Sequence, residues 1–470
     1  MKFIDLFAGL GGFHIGLSRL GHECVYACEI DEQLNELYRM NFPKTPIVDF
    51  DIAKVDPNKL PHYDILCAGF PCQPFSQAGP QTGFDHKIAG NMFHQILRFI
   101  KCNNPKYLFL ENVPNLKNHN KGKTWMSMKK ILEKDLEYII QEEFISPLHF
   151  NIPQTRKRFY ILGTRLKKEI RWPIFFTKEL NGKKITNLKK WFIKKPHKPR
   201  KLTREKKYVV KMWEEFLQSI PDKKNLESIY SPLWTAEFGA TYPFEEKAPT
   251  AISKKELSRY RGIRGKKLST VNLKDVVDHL PPYAQYSRSR NESKEESKQF
   301  PEWKKTFIRN NRKFYRKNKK WIDPWIKKYS NPKFSIALEA THRKFEWNCF
   351  GEKFTLKDKV LSFRGSGLRV KRMDAAPTLV STTLTQLPYI PLLKRYLSVE
   401  ECLKIQGLNK ITKNMVNRGW EKTYAAIGNA VNADVVKFIA EAFLSKNKTN
   451  IEYRVLPKNY RLKYGRKLKS

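Results

Sequence analysis

The sequence predicts a doubly wound α/β domain with a mainly parallel sheet, followed by a second, smaller and strongly basic domain. Residues 1–164 alternate short apolar runs with segments of helical periodicity, which is typical of such a sheet. They carry 19 Lys and Arg against 17 Asp and Glu, whereas the rest of the chain carries 71 against 29. This asymmetry indicates chemistry in the first part and polyanion binding in the second.

The elements of the first domain follow one another along the chain. Strands are expected at 3–7, 24–28, 64–68, 107–110, 138–144 and 159–163, and helices at 12–20, 32–41 and 93–100. In a doubly wound sheet, ligands bind at the carboxyl ends of the strands. We expect four segments: a catalytic and cofactor-binding domain at 1–170, an irregular basic domain at 171–415, a helical segment at 416–445 that returns to the first domain, and a basic tail at 446–470.

Composition restricts the classes of function. The 470 residues have a net charge of +44, which points to nucleic acid first and an anionic membrane surface second. No apolar run approaches the ~18 residues that span a bilayer, and an acidic Asp5 interrupts the amino-terminal segment, so we expect a cytoplasmic protein. Seven scattered cysteines argue against a disulfide framework. Cys24 and Cys28 are close, but no second Cys or His pair has zinc-finger spacing, so no metal is expected.

A glycine-rich turn is the first candidate site. Residues 7–12 read FAGLGG directly after a predicted strand, and Glu29 ends the next strand. Glycines allow a sharp turn and a close approach to a ligand, and an acid at that place can bind ribose hydroxyls. The pattern alone also fits a tight turn beside a surface Glu. A nucleotide-type cofactor would be NAD or S-adenosylmethionine, and the missing third glycine favours the smaller adenosyl ligand.

A cysteine in a proline-flanked loop is the second candidate site. Residues 69–76 read GFPCQPFS and follow the strand predicted at 64–68. A single cysteine is more often a small buried hydrophobe than a nucleophile. Here the prolines would hold the sulfur of Cys72 at the ligand edge of the sheet, where a thiolate would be a strong nucleophile.

Two further segments complete the candidate site. Glu111 ends the strand predicted at 107–110 and would lie beside Cys72 if the two strands are neighbours, where it could donate a proton. Arg156 and Arg158 lead into the last strand, and paired arginines suit a phosphate or a base carbonyl. Taken alone, a capping acid and a solvated basic patch are the more ordinary interpretations.

In this order and spacing, the segments resemble the DNA cytosine-C5 methyltransferase family, in particular its prokaryotic restriction-modification type. The resemblance rests on residues 3–12, 69–76, 111–113, 154–158, 395–407 and 426–431, with 376–379 as a weaker match. It covers nearly all of 1–164 and about 391–445. The family often has Arg-Gly-x-Leu-Phe where this chain has Ala89-Gly90-Asn91-Met92-Phe93, although Met92 can still pack on the cofactor.

The resemblance implies a class I S-adenosylmethionine-dependent methyltransferase fold, a DNA target-recognition domain in the second half, and roles for individual residues. The catalytic set would be Cys72, Glu111, Arg156 and Arg158. The cofactor pocket would be lined by Phe7, Gly9, Leu10, Gly11, Glu29, Ile30, Asp51, Ile52, Pro71, Met92 and Asn429. The contacts with DNA would involve Gln73, Ser76 and Thr378. Because arginine pairs well with guanine, further candidates in the basic half are Arg259, Arg261, Arg264, Arg369 and Arg372.

The implied reaction transfers a methyl group from S-adenosylmethionine to C5 of a cytosine flipped out of double-stranded DNA. S-adenosylhomocysteine would be the product, and the enzyme would act as a monomer. Two alternatives stay open. An RNA cytosine methyltransferase could use the same motifs, and a catalytically silent DNA-binding relative could keep the fold.

Overall fold

The protein is described by a computed structural model that covers residues 1–48, 51–71, 89–166, 168–173, 186–221, 232–285, 299–329, 342–379, 387–411, 420–445 and 453–455. The chain divides into two compact units. The first unit comprises 1–198, 374–384 and 398–470, and the second comprises 199–373 and 385–397. These bounds differ from the predicted ones at 170 and 415. One reason is that the backbone N–H groups of Ile193 and His197 bind the carboxylates of Glu401 and Glu400, which ties residues past 170 to the first unit.

A seven-stranded sheet forms the centre of the first unit. Its strands are β1 (Lys2–Leu6), β2 (Glu23–Cys28), β3 (Ile47–Val48), β4 (Ile65–Gly69), β5 (Tyr107–Asn112), β6 (Ile139–Ile145) and β8 (Arg158–Thr164), with the short β7 (Gln154–Thr155) outside it. The order is β3-β2-β1-β4-β5-β8-β6. The first five strands are parallel, and β8 runs antiparallel to both of its neighbours. The prediction of a mainly parallel α/β sheet is confirmed.

Helices cover both faces of this sheet because alternate residues of each buried strand point to opposite sides. The helices of the first unit are α1 (Gly12–Ser18), α2 (Glu32–Asn41), α3 (Ala89–Asn103), α4 (Asn115–Asn118), α5 (Lys123–Lys130), α10 (Val399–Ile405), α11 (Trp420–Asn429) and α12 (Ala433–Leu444). On one face, Phe109 of β5 meets Phe13 of α1 with ring centroids 5.1 Å apart. On the other, Leu108 shares a core with Phe93 of α3 and Trp125 of α5.

Three short strands join distant parts of the first unit. They are β9 (Arg171–Pro173), β14 (Ala376–Pro377) and β17 (Tyr453–Val455). β14 pairs in parallel with β7, and β17 pairs antiparallel with β9. Part of the segment expected as a basic tail is therefore a strand.

The second unit has its own six-stranded sheet. Its strands are β10 (Leu233–Trp234), β11 (Lys344–Asn348), β12 (Val360–Arg364), β13 (Gly367–Lys371), β15 (Tyr389–Ile390) and β16 (Arg395–Tyr396), in the order β10-β11-β13-β12-β15-β16. Its helices are α6 (Arg204–Gln218), α7 (Lys254–Leu257), α8 (Pro282–Gln285) and α9 (Glu302–Tyr329). Trp213 of α6 stacks on Phe345 of β11 at 4.5 Å and lies 5.5 Å from Trp325 of α9.

The expectation that the basic half is irregular is wrong for this sheet and these helices. The many Lys and Arg residues obscure the apolar pattern in the sequence, but the elements keep their aromatic and aliphatic residues on the buried side. Among the helices of the described ranges, none combines the length and apolar character required to cross a membrane.

Candidate active site

The glycine-rich turn follows β1 directly. Phe7, Gly9 and Gly11 all have positive φ, at 60°, 53° and 75°, so the chain reverses within five residues. The N–H of Gly11 donates to the carbonyl of Ala8 at 2.8 Å, and Gly11 is the N-cap residue directly before α1. A Cβ at Gly9 would meet nothing within 4 Å, so this side of the turn is open to a ligand.

Glu29 is held at the end of β2 by two backbone donors. One carboxylate oxygen accepts the N–H of Gly9 at 2.9 Å, and the other accepts the N–H of Asp31 at 3.0 Å. Burial raises the pKa of the Glu29 carboxyl, and the N–H groups of Asp31 and Gly9 oppose that rise. The neighbouring Ile30 is 70% exposed, so an apolar side chain stands beside a positioned acid.

The other predicted cofactor residues differ in how accessible they are. Leu10 and Ile52 are buried in the described structure, whereas Pro71 and Asn429 are exposed. The remaining two are partly buried: Asp51 accepts the N–H of Ala53 at 3.0 Å, and Met92 packs against the main core. Of Leu10 and Ile52, only backbone atoms could contact a ligand unless their side chains move.

The ends of β4 and β5 lie side by side, so residues 69–71 of the second candidate site lie next to Glu111 of the third. The two strands are parallel neighbours, and Gly69 pairs with Glu111. The side-chain amide of Asn112 donates to the carbonyl of Phe70 at 3.2 Å, which fixes the start of the loop after β4. Sequence reasoning treated Asn112 only as part of a motif and missed this contact. The predicted nucleophile Cys72 and the predicted DNA contacts Gln73 and Ser76 lie outside the described residues.

Glu111 and Arg158 form an ion pair at this sheet edge. Glu111 is 7% exposed, and the Nε of Arg158 lies 3.1 Å from its Oε1. Arg158 opens β8, the antiparallel neighbour of β5. A buried carboxyl next to a guanidinium can hold and orient a polar heterocycle.

Arg156 contacts the backbone of residues 428–430. It is 2% exposed, and its two terminal nitrogens donate to the carbonyls of Gly428 at 2.7 Å and Ala430 at 2.9 Å. These carbonyls flank Asn429. Because its guanidinium is occupied by these carbonyls, we expect Arg156 to position the 428–430 segment, and its membership of the catalytic set stays a prediction.

Thr378 lies against β7 of the first unit, the strand directly before Arg156. Its hydroxyl donates to the carbonyl of Thr155, and the hydroxyl of Thr155 donates to the carbonyl of Ala376 at 3.2 Å. Both bonds follow from the pairing of β14 with β7. The residues around 376–378 and 154–156 therefore form one connected piece.

The predicted base-reading arginines fall into two groups. Arg259 and Arg261 are exposed, and Arg264 is partly buried, with its pKa lowered to about 9 by burial and by the nearby Arg343. Arg369 pairs with the carboxylate of Glu346, and Arg372 donates to the carbonyl of Phe350 and lies 3.6 Å from Glu352. A base contact by either of the last two would require breaking these interactions.

Among the described residues, no cluster of three His, Cys, Asp or Glu side chains could hold a metal ion. Of the cysteines that the structure describes, Cys102 is exposed and the rest are buried.

The chain is similar to some known proteins over about a third of its length and to others over nearly all of it. Over 162 residues it is 46% identical to the Type II methyltransferase M.MspI of Moraxella sp, a match that covers 34% of this chain and only 38% of that protein. It is 26% identical over 497 aligned residues to the Type II methyltransferase M.AluI of Cellulosimicrobium cellulans, covering 95% of this chain and 92% of that protein. A solved Entamoeba histolytica methyltransferase, EhMeth, aligns over 94% of this chain and 97% of its own, at 14% identity and a TM-score of 0.46. The family model for C-5 cytosine-specific DNA methylases matches residues 1–445, and the chain belongs to that family.

Proposed function

We propose that this protein is a site-specific DNA methyltransferase that transfers a methyl group from S-adenosylmethionine to C5 of cytosine. The observation that carries the proposal is the pairing of Gly69 with Glu111, since it brings the end of β4, which Cys72 follows three residues later in the sequence, next to a buried acid and its partner Arg158. The relatives named above are Type II methyltransferases, which further supports it and suggests a restriction-modification role.

The turn at 7–11 and Glu29 fit an adenosyl ligand. The open side of Gly9 would admit a ligand close to the backbone, and the Glu29 carboxylate could accept bonds from two ribose hydroxyls. The exposed side chain of Ile30 could pack on the face of the adenine. When bound, S-adenosylmethionine supplies an electrophilic methyl group on a sulfonium centre.

The residues of this chain would supply the rest of the chemistry. The thiolate of Cys72 would attack C6 and form an S–C6 bond, which moves the electron pair of the C5–C6 double bond toward C5. Glu111 would contact N3, and a proton shared between its carboxyl group and N3 would stabilise the charge that develops on the ring. After C5 is methylated, loss of its proton to water and expulsion of Cys72 restore the double bond.

The target base must leave the helix before Cys72 can reach C6. Flipping costs a few kcal/mol, and contacts between basic side chains and phosphates would offset that cost. We assign Arg158 to hold the flipped base because it lies against Glu111. The second unit, in the basic half of the sequence, would select the DNA sequence, with the exposed Arg259 and Arg261 as the better-placed candidates for base contacts.

Methyl transfer to nucleic acid tests the proposal directly. Purified protein with methyl-labelled S-adenosylmethionine should label duplex DNA as 5-methylcytosine and leave tRNA unlabelled. Label in tRNA alone would favour the RNA alternative, and no label in either would favour the silent relative. Bisulfite sequencing of DNA from expressing cells would then report the sequence context.

The role of Cys72 needs a matched control. Cys72→Ser should abolish transfer while DNA binding is kept, whereas Cys102→Ser, at an exposed cysteine in α3, should leave activity unchanged. DNA containing 5-fluorocytosine should trap a complex that survives denaturation, because fluorine at C5 cannot leave as a proton does. Equal activity in the Cys72→Ser variant, or a trapped complex with that variant, would overturn the mechanism.

A further inference from the structure

A row of four cations runs along the outer face of α9. Lys313, Arg316, Lys320 and Lys327 are spaced three, four and seven residues apart, and all four are exposed. At about 100° per residue they fall within an arc of roughly 60° and extend over roughly 21 Å along the helix axis. We call these four residues the α9 stripe.

The opposite face of α9 is anchored in the core of the second unit. The buried residues on that face include Ile308, Phe314, Ile322 and Trp325. The indole N–H of Trp325 donates to the carbonyl of Met212 at 3.0 Å. The helix is therefore a fixed support, so the spacing of the stripe is set before any partner binds.

Polar contacts anchor the amino-terminal half of α9 as well. The side-chain oxygen of Asn311 accepts the N–H of Trp234 at 2.7 Å, and its amide donates to the carbonyl of Pro232 at 3.2 Å. Arg312 lies 2.9 Å from the buried carboxylate of Glu237. Register and rotation of the helix are thus specified, which keeps the stripe on the outside.

The stripe differs from the other cations of the same helix. Helix α9 contains eleven Lys and Arg against two Asp and Glu. Arg309, Arg312 and Lys328 each have a carboxylate partner. Among the described residues, no member of the stripe forms an ion pair. Asp323, the acid of α9 that lies beside the stripe, accepts the hydroxyl of Tyr315 at 2.6 Å and lies 4.0 Å from Lys319. Four like charges held close together repel one another, and a polyanion would relieve that repulsion.

We propose that the α9 stripe binds the phosphate backbone of duplex nucleic acid without regard to sequence. The biological role of this binding rests on the proposed function. The second unit would then have two separate tasks: the stripe would provide affinity for DNA, and other residues would select the bases. Phosphates along one strand rise about 3.4 Å per nucleotide, so roughly 21 Å covers about six of them, enough for four contacts. A membrane-binding helix would instead expose apolar residues beside its cations, but the stripe face from 313 to 327 carries cations, Asp323 and Pro324.

The test is the salt dependence of duplex binding. The variant K313Q/R316Q/K320Q/K327Q keeps helix-forming side chains and removes four charges. Its slope of log K against log salt should be shallower than that of the wild type by about 3 to 4, because each phosphate contact contributes about 0.9. At about 100 mM salt, binding should weaken by about 100-fold or more, equally for duplexes of different sequence.

A matched control separates the stripe from net charge. K54Q/K59Q/K130Q/K134Q removes four charges from exposed lysines of the first unit and should keep a slope close to that of the wild type. Equal changes in the two variants, or an unchanged slope in the stripe variant, would overturn the proposal. So would loss of binding to phosphatidylserine vesicles with duplex binding intact, since the partner would then be a membrane. Matching thermal unfolding curves would show that both variants are folded.

Failure of this proposal can be told apart from failure of the proposed function. If the wild type methylates DNA and the stripe variant keeps the wild-type salt slope, only the stripe is refuted. If the wild type binds duplex with the expected slope but transfers no methyl group, only the methyltransferase assignment is refuted. When both hold, the stripe variant should methylate the same sequence context as the wild type and require a higher DNA concentration.

Discussion

Replacing Arg156 should weaken cofactor binding without touching the reacting base. Its guanidinium makes two charge-assisted hydrogen bonds to the carbonyls on either side of Asn429, the proposed cofactor contact. Such bonds contribute about 1.5–3 kcal/mol each, so Arg156→Met removes about 3–6 kcal/mol of local stabilisation. If the segment relaxes and half of the lower figure reaches the ligand, affinity falls about 10-fold or more. Arg156→Lys, which can keep one bond, should fall between the wild type and Arg156→Met.

Calorimetric titration with S-adenosylhomocysteine is the direct assay, because it measures binding without turnover. Arg165→Met is the matched control: Arg165 is exposed just past the other end of β8, where it donates to Asn104 at 2.6 Å. Arg158→Met should lower kcat and leave the product affinity near that of the wild type. An unchanged affinity in folded Arg156→Met protein would refute the positioning role, and so would an equal loss in the Arg165 control.

Two further predictions concern the helix that follows the glycine-rich turn. A Cβ at Gly12 would lie 2.3 Å from the carbonyl oxygen of Val431. Gly12→Ala should therefore lower the free energy of unfolding in urea by about 1–3 kcal/mol. Gly365→Ala is the control and should be nearly neutral, because a Cβ at that turn would meet nothing within 4 Å. Burial lowers the pKa of His14 to about 4. The neutral ring therefore contributes to the free energy of unfolding in full above about pH 6.5, and this contribution is lost as the pH falls toward 4. It amounts to roughly 3 kcal/mol at most. The urea midpoint should drop less between about pH 7 and about pH 5 in His14→Gln than in the wild type, and equal drops would contradict the assignment.

The strands around the site could be predicted because they are buried on both faces. The runs that form β1, β4 and β5 are mostly apolar, and the structure has them within one or two residues of the predicted bounds. β4 ends on Gly69 and β5 on Glu111 and Asn112, and the first glycine after β1 is Gly9, so these residues lie at the edge where ligands are expected. Position at the end of a strand was therefore a reliable guide to the location of Glu29 and Glu111.

The short pairings could not be predicted in the same way. β7 and β14 have two residues each, lie more than two hundred positions apart, and are too short for a periodic pattern. The sheet of the second unit was missed because its strands carry cations beside their apolar residues, as in β13, where Arg369 lies between the buried Leu368 and Val370. The cations and the apolar residues are separated only in the folded sheet, where alternate side chains point to opposite faces.

The arginines before and within β8 show that the sequence alone cannot assign different roles to neighbouring residues of one type. Arg156 and Arg158 are two positions apart and of one residue type, so the sequence offers no reason to separate them. In the folded chain, one meets backbone carbonyls at 428 and 430 and the other meets Glu111. The difference depends on segments more than 270 positions away, which is why it is a property of the tertiary structure.

Three glycines of the first unit explain how its distant segments form a single site. Added Cβ atoms at Gly12 and Gly69 would lie within 3.0 Å of Val431, and one at Gly16 would lie 2.6 Å from Val436. Gly12, Gly16 and Gly69 are therefore required for packing against 431–436, whereas Gly9 and Gly11, with positive φ, turn the chain. The start of α1, the end of β4 and the start of α12 pack against one another, so a change in any of them should affect the other two. Through this packing, the contacts of Arg156 with the residues just before Val431 should affect the proposed cofactor pocket.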